Sequence, residues 1–131
     1  MTFGRRALLY IVVVGAFAEL LAGCSSPILK AAATQEGLAS FYGEEFDGRR
    51  TSNGEIFHKG DLTAAHRTYP FGTLLRVTNL KNGDQVKVRV NDRGPVKPER
   101  IIDLSYGAAK MIGLDRIGLV RVRLEVLYWG E

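Results

Sequence analysis

The chain has 131 residues, of which 18 are basic and 14 acidic, giving a net charge of +4 at neutral pH. This mild excess forms neither a block of like charges nor a basic helix, so nucleic acid is not expected as a partner. The only cysteine is Cys24, which excludes a disulfide within the chain. The length allows a single small domain and no second module.

The first 23 residues have the form of a secretory signal. Two arginines precede an apolar run at residues 7–21 that is too short to span a bilayer comfortably. Small residues then stand directly before Cys24 and match the bacterial lipobox, in which the thiol is acylated and the preceding segment is removed. Glu19 weakens the apolar run, so an uncleaved N-terminal anchor is one alternative, and a buried thiol at Cys24 is another.

The signal also predicts a location. Ser25 follows the cysteine, and lipoproteins with a residue other than Asp at that position are usually sent to the outer membrane. We therefore expect a lipid-anchored protein that faces the periplasm. Residues 24–36 are rich in Ser, Ala and Thr without an amphipathic period and are expected to form the acylated Cys and its tether, followed by one domain at 37–131.

Most of that domain is predicted to be β-structure. Val86, Val88 and Val90 alternate with basic residues, the pattern of a strand with one buried face. The pair Asn82-Gly83 predicts a tight hairpin before this strand, because both residues accept positive φ. Turn residues separate six such segments. The predicted strands are residues 38–42, 62–66, 73–79, 85–91, 100–104 and 119–127.

One short helix is expected between the last two strands. Ser105 can cap it, Ala108, Ala109 and Ile112 give it an apolar stripe, and Gly113 can end it. Six strands and one helix in so short a domain predict a mainly β, small closed barrel, because closure removes unpaired strand edges.

Asp92 is the first candidate functional residue. It emerges where the strand ends, within Asn91-Asp92-Arg93-Gly94-Pro95, and thus sets a carboxylate beside a guanidinium in a loop. Loops on a rigid scaffold carry most catalytic groups. The alternative is an aspartate that only caps its own turn.

Three further polar residues are explained by neither turn nor core. Glycosidic cleavage needs a protonated carboxylic acid beside the bridging oxygen and often a second group that stabilises the transition state. Glu55 and Asp103, together with Asp92, can supply both, and His66 is a further candidate. Taken singly, Glu55 can be a solvated surface acid, Asp103 a buried backbone-bonded group and His66 a satisfied strand-end histidine.

Several short motifs recur in order along the domain. They comprise residues 37–43, Phe46, Gly48, Arg49, Thr51, Gly54, Glu55, 62–67, 70–73, 77–79, 91–95 and 100–105. Together they closely resemble the rare lipoprotein A family over residues 37–127. The resemblance implies a six-stranded double-psi β-barrel, the fold shared with expansins and some cellulases, and an activity on peptidoglycan.

The family resemblance implies a lytic transglycosylase, which breaks the β-1,4 bond between N-acetylmuramic acid and N-acetylglucosamine without water. The muramyl 6-hydroxyl closes onto C1 and leaves a 1,6-anhydro end. One acid/base carboxylate, assigned to Asp92, can serve both steps, so neither metal nor cofactor is needed. Glu55 would orient the sugar or stabilise positive charge at C1, and His66 would lie in the same groove. Asp103 resembles the acid of expansin barrels, so its role and that of Asp92 can be exchanged.

Contacts to the glycan are expected from Arg93, Arg49, Tyr42 and Phe41, the two rings by stacking on sugar faces. A core or hairpin role is the alternative for both rings. The expected partners are peptidoglycan glycan strands, the membrane through Cys24, and cell-division or wall-remodelling proteins that the sequence does not identify. Many members of the family carry a C-terminal peptidoglycan-binding repeat, and none follows the last predicted strand up to residue 131, so septal targeting by that route is not expected.

Two other functions fit the same barrel. A non-catalytic, expansin-like lipoprotein would bind peptidoglycan without cutting it, because this fold does not by itself establish catalysis. A lipid-tethered spacer between membrane and wall would need no groove at all. The presence of both Glu55 and Asp92 favours the enzyme, since a binding module would need neither acid.

Overall fold

The computed structural model describes residues 33–131; the predicted signal and Cys24 lie outside them. None of the helices in this range is long and apolar enough to cross a membrane. Two short helices, α1 (Tyr106–Met111) and α2 (Leu114–Ile117), stand between the last two strands, and a single 3₁₀ turn covers Glu44–Phe46. The strands are β1 (Thr34–Phe41), β2 (Thr63–Ala65), β3 (Leu74–Asn79), β4 (Gln85–Asp92), β5 (Arg100–Leu104) and β6 (Val120–Tyr128).

The six strands close into a barrel in the order β1-β5-β2-β4-β3-β6. The pairs β1/β5 and β2/β4 are parallel, and the other four pairs are antiparallel. Each strand therefore has two partners, and the barrel has no open edge that could pair with another chain. The expected mainly β, six-stranded double-psi barrel is confirmed.

Two elements differ from the prediction. β1 begins at Thr34, three residues before the expected domain boundary, because its first residues pair with β6, with Thr34 opposite Glu125. Gly113 ends α1 with a φ of 75°, but the chain then enters α2 directly. The structure thus has two short helices in this region where one was expected.

The barrel interior is apolar. Val86, Val88 and Val90 of β4 are at most 4% exposed, as their alternation predicted. Ser105 caps α1 by accepting a hydrogen bond from Ala108 N at 3.2 Å. This cap directs the apolar face of α1 onto the barrel, where Ala108 is fully buried. The interior also contains Ala39, Ala64, Leu75, Val77, Ile102, Leu104, Ala109, Ile112, Leu114, Val120, Val122 and Leu124.

Candidate active site

The register of the barrel brings two aspartates to the same level. Ala65 of β2 pairs with Asp92 of β4 on one side and with Asp103 of β5 on the other. On the next strand, Ser40 of β1 pairs with Asp103. Because neighbouring strands lie roughly 4.8 Å apart, the backbones of the two aspartates are separated by about 10 Å across one alanine. This separation is short enough for both carboxylates to act on one bound molecule.

Both aspartates line one cavity of about 480 Å³ at this end of the barrel. The chain that follows β4 also approaches Asp103, since a β-carbon placed on Gly94 would lie 3.8 Å from Asp103 Oδ2. All four residues expected to contact glycan lie on the cavity wall. Besides the two aspartates, the cavity is lined by Phe41, Tyr42, Gly43, Phe46, Arg49, Arg50, Arg93, Gly94, Val96 and Arg100.

The Asp92 carboxylate accepts four hydrogen bonds. Ser52 donates two to Oδ1, from its backbone N at 2.9 Å and from Oγ at 2.6 Å, and Arg93 N donates a third at 2.9 Å. Tyr42 OH donates to Oδ2 at 2.6 Å. Burial opposes ionisation of Asp92, but the hydrogen bonds from Ser52, Tyr42 and Arg93 outweigh it and hold the pKa of Asp92 below its usual value. Asp92 is therefore an anion at neutral pH.

Asp103 has a sparser environment. Ser40 Oγ donates to Asp103 Oδ1, and Arg100 Nη1 lies 3.1 Å from the same Ser40 oxygen. Within residues 33–131, this is the one hydrogen bond that the Asp103 carboxylate accepts from a side chain. The two aspartates of the cavity thus differ in the number of hydrogen bonds that their carboxylates accept.

Tyr42 serves both the core and the cavity. Its ring packs on Phe57 with centroids 4.7 Å apart and meets the edge of Phe46 at 5.5 Å. Burial and the neighbouring Asp92 carboxylate raise the pKa of Tyr42, so its hydroxyl keeps its proton and donates to Asp92. Phe41 is also shared, because it lines the cavity and packs against the core beside Tyr106.

The arginines of the cavity are partly held by aromatic rings. The Arg93 guanidinium lies over Phe71, 3.9 Å from the ring centroid, and its Nη1 donates to the carbonyls of His66 and Tyr69 at 3.1 and 2.8 Å. Arg49 lies 5.6 Å from the Phe46 centroid. These contacts fix the two positive charges on the cavity wall.

Glu55 does not line this cavity. Its carboxylate forms a bidentate ion pair with Arg89 at 2.6 and 2.9 Å and accepts hydrogen bonds from Asn53 Nδ2 at 3.0 Å and Asn91 Nδ2 at 3.2 Å. The Arg89 hydrogen bonds, aided by the two amides and only partly opposed by burial, lower the pKa of Glu55 to about 2.

His66 also lies away from the cavity lining, which departs from the expectation that it shares the groove. The imidazole is 3% exposed and stacks on Tyr69 with centroids 3.8 Å apart. Its Nδ1 accepts from the backbone N of Thr68 and Tyr69, and its Nε2 lies 2.9 Å from Gln35 Oε1. Burial, together with the charges of Arg93 and Arg67, lowers the pKa of His66 to about 4, so the ring is neutral and fully hydrogen-bonded.

A family model described as lytic transglycolase matches residues 34–124. The chain belongs to this family. It is 55% identical over 98 residues to the endolytic peptidoglycan transglycosylase RlpA of Campylobacter jejuni, a match that covers 75% of this chain and 36% of that protein. It is 57% identical over 91 residues to the probable RlpA of Synechocystis, covering 70% of this chain and 28% of that protein. The resemblance seen in the motifs is confirmed, and the chain spans about a third of the length of these relatives.

Solved structures support the fold of this lytic transglycolase family member. The expansin of Clavibacter michiganensis superposes with a TM-score of 0.59 at 20% identity, covering 75% of this chain and 52% of the expansin. A Streptomyces papain inhibitor superposes with a TM-score of 0.57 at 24% identity, covering 72% of this chain and 94% of the inhibitor. At such identities the likeness concerns the barrel alone.

Sequence reasoning missed Ser52 in this lytic transglycolase barrel. Ser52 supplies half of the hydrogen bonds to Asp92, yet it stands between Thr51 and Asn53, where three turn-forming residues give no sign of a distant partner. Only the hydrogen bond from Ser52 to Asp92, 40 positions further along the chain, reveals the role of Ser52. Between residues 33 and 131, no three His, Cys, Asp or Glu side chains are grouped so as to hold a metal ion.

Proposed function

We propose that this protein is a peptidoglycan lytic transglycosylase that cleaves the bond between N-acetylmuramic acid and N-acetylglucosamine and leaves 1,6-anhydro-muramic acid ends. The observation that carries the proposal is the pairing of Asp92 and Asp103 on either side of Ala65, both facing one cavity. The activity named for the relatives in Campylobacter jejuni and Synechocystis supports it.

Asp92 is suited to the role of base. Its four donors keep it ionised, so it can stabilise positive charge that develops at C1 and accept a proton from an attacking hydroxyl. In the proposed reaction, O6 of the muramyl residue forms a bond to C1, and the hydroxyl proton passes to Asp92. No water enters the product.

Asp103 is suited to the role of acid. Its carboxyl group accepts fewer hydrogen bonds than that of Asp92, so more of its oxygen lone pairs remain available to reach the bridging oxygen of a bound sugar. Its proton passes to the bridging oxygen while the C1–O4 bond breaks, and N-acetylglucosamine leaves with a free 4-hydroxyl. Proton exchange with solvent then restores both groups. This division of roles is the alternative to a single acid/base at Asp92.

The cavity wall fits an anionic glycan. Arg49, Arg50, Arg93 and Arg100 supply positive charge that can pair with the lactyl or peptide carboxylates of peptidoglycan. Phe46 is 39% exposed and offers a ring face on which a sugar can stack. These residues would orient the sugar between the two aspartates, which is the main requirement for intramolecular attack by O6.

Product analysis tests the proposal. The soluble chain that follows Cys24 is incubated with peptidoglycan freed of stem peptides, and the released fragments are identified by mass spectrometry. Fragments that end in 1,6-anhydro-muramic acid are the expected result. Reducing ends would mean hydrolysis by water, and binding without release would favour the non-catalytic, expansin-like alternative.

We also propose that Cys24 is acylated and anchors the protein to the periplasmic face of the outer membrane. The support is the lipobox-like sequence before Cys24 and the Ser25 that follows it. Metabolic labelling with palmitate and membrane fractionation test this directly. The full chain is expected to take up label and sediment with outer membranes, and Cys24→Ala is expected to lose the label. Label retained by that variant would contradict the anchor.

A further inference from the structure

The 51–55 loop, named here for residues 51 to 55, is closed upon itself. Thr51 N donates to Glu55 O at 2.7 Å, and Gly54 N donates to Thr51 O at 3.0 Å. Inside the loop, Asn53 Oδ1 accepts from Glu55 N at 3.1 Å and from Thr51 Oγ1 at 2.7 Å. These hydrogen bonds tie the residues of the loop to one another.

Glu55 attaches this loop to strand β4 through its side chain. Its carboxylate is bound by Arg89 and Asn91, which are two residues apart on β4 and so project from the same face. One backbone bond adds to this, from Asn53 N to Asn91 O at 3.3 Å. The next residue of the strand after Asn91 is Asp92.

Ser52 connects this loop to the cavity. It donates from both its backbone N and its Oγ to Asp92 Oδ1. Ser52 Oγ also lies within 3.3 Å of Arg93 N. A loop fixed on β4 by Glu55 therefore presents Ser52 to the carboxylate that follows on the same strand.

We propose that Glu55 is a positioning residue, which binds Arg89 and Asn91 so that the 51–55 loop holds Ser52 against Asp92. Glu55 then needs no contact with the sugar, in agreement with its absence from the cavity lining. The catalytic consequence rests on the proposed function of Asp92. The placement of Ser52 does not, so it can be measured separately.

The sign of the change in the pKa of Asp92 distinguishes this role from a simple effect of charge. Removing the Glu55 anion leaves the Arg89 cation unpaired, which by charge alone would lower the pKa of Asp92. Losing the Ser52 hydrogen bonds would raise it. The other titratable or charged groups that face the same cavity are Tyr42, Arg49, Arg50, Arg93, Arg100 and Asp103.

The experiment follows the Asp92 carboxyl carbon by NMR across the acid range, in the full chain purified in detergent. The variants are Glu55→Gln, Ser52→Ala and the double variant. Glu125→Gln is the matched control, because it removes the carboxylate of another barrel ion pair, with Arg76 at 3.6 Å. Arg89→Lys keeps the charge but loses the bidentate geometry, and it serves if Glu55→Gln folds poorly.

Glu55→Gln, Arg89→Lys and Ser52→Ala are each expected to raise the pKa of Asp92, and Glu55→Gln is expected to add nothing in the Ser52→Ala background. Glu125→Gln is expected to leave it unchanged. An unchanged or lowered pKa of Asp92 in Glu55→Gln would overturn the inference, as would an equal rise with and without Ser52.

Kinetics give a second readout that separates this inference from the proposed function. Glu55→Gln is expected to lower kcat, by up to roughly 10²-fold, and to leave KM near its original value, because a small displacement of Asp92 harms the reaction and not sugar binding. A rise in KM with kcat unchanged would instead mean direct contact with glycan. If the unaltered protein releases no fragments, the proposed function fails, and the NMR titration still decides the role of Glu55.

Discussion

Asp92 and Asp103 pair with the same residue of the barrel, yet their surroundings differ. Both pair with Ala65 and face the same cavity, but Ser52, Tyr42 and the backbone of Arg93 converge on Asp92 alone. Two neighbouring carboxyl groups that are held differently by their environment are well suited to divide acid and base roles. The hydrogen bonds that lower the pKa of Asp92 are therefore expected to influence the pH dependence of the reaction.

Tyr42→Phe tests which protonation state of Asp92 is active. The variant keeps the ring but loses the hydroxyl that lowers the pKa of Asp92, so that pKa should rise. If Asp92 acts as a base, activity is present above its pKa and is lost as the pH falls through it. The acid limb of kcat/KM is then expected to move to higher pH in Tyr42→Phe. Increased activity of the variant near neutral pH would instead indicate that Asp92 must begin protonated.

The cavity is lined by Asp92, Asp103 and the four predicted glycan contacts, whereas Glu55 and His66 lie outside its lining. Asp92 was recognisable because turn residues stop a clear strand directly after it. Glu55 and His66 were singled out as polar residues without a structural task, but each has one: Glu55 pairs with Arg89, and His66 accepts two backbone hydrogen bonds. Both tasks depend on contacts between residues or on local loop geometry that spacing along the chain does not specify.

At the scale of elements, alternation in β4 and the turn residues that bound each segment carried most of the information. All six strands were predicted from these two signals. The extension of β1 to Thr34 was missed because it depends on pairing with β6, more than 80 residues away in the chain. α2 was missed because Gly113 is a typical end for a helix, and four residues are too few to show a helical period.

The 51–55 loop should make the stability of the fold depend on pH. Glu55 has a pKa of about 2 in the folded protein against an ordinary value of 4.5, so its stabilising contribution is present above about 4.5 and is lost as the pH falls toward 2. Because the ion pair with Arg89 is partly exposed, the contribution is expected to be about 1 kcal/mol or less. Urea unfolding at several pH values should show this loss.

Glu55→Gln provides the comparison for that experiment. His66 also destabilises the folded state in acid, since protonation of its buried ring is opposed down to a pH of about 4. Because both proteins contain His66, its contribution cancels when their stabilities are compared. The stability difference between the original protein and Glu55→Gln should be largest at neutral pH and shrink in acid, where Glu55 itself becomes protonated. A difference that stays constant down to a pH near 2 would mean that Glu55 does not titrate as its contacts with Arg89 require.

At the scale of the whole molecule, the strand order is what places the active groups. The order β1-β5-β2-β4-β3-β6 sets β4 and β5 on either side of β2, which no local pattern specifies. Composition and periodicity predicted only a small closed barrel. The double-psi topology was predicted from the family resemblance. In the described domain, the local sequence thus indicates where strands lie but not which strands are neighbours in the barrel.

The barrel core should determine stability without affecting the chemistry directly. Leu75 of β3 is fully buried, and Leu75→Ala is expected to lower the free energy of unfolding by about 2–5 kcal/mol. The matched control is Leu80, which lies just beyond the end of β3 and is 38% exposed. Leu80→Ala should change the free energy of unfolding little. Chemical denaturation measures both. Equal effects of the two substitutions would contradict the assignment of the core.

The most direct test of the central claim is the release of 1,6-anhydro fragments from denuded peptidoglycan by Asp92→Asn, with glycan binding measured on the same protein. The substitution keeps the shape of the side chain and removes its capacity to accept a proton, so release is expected to fall by about 10²–10⁴-fold while binding is retained. Release at the original rate by folded, glycan-binding Asp92→Asn would contradict the assignment of Asp92 as the reacting carboxylate of this barrel.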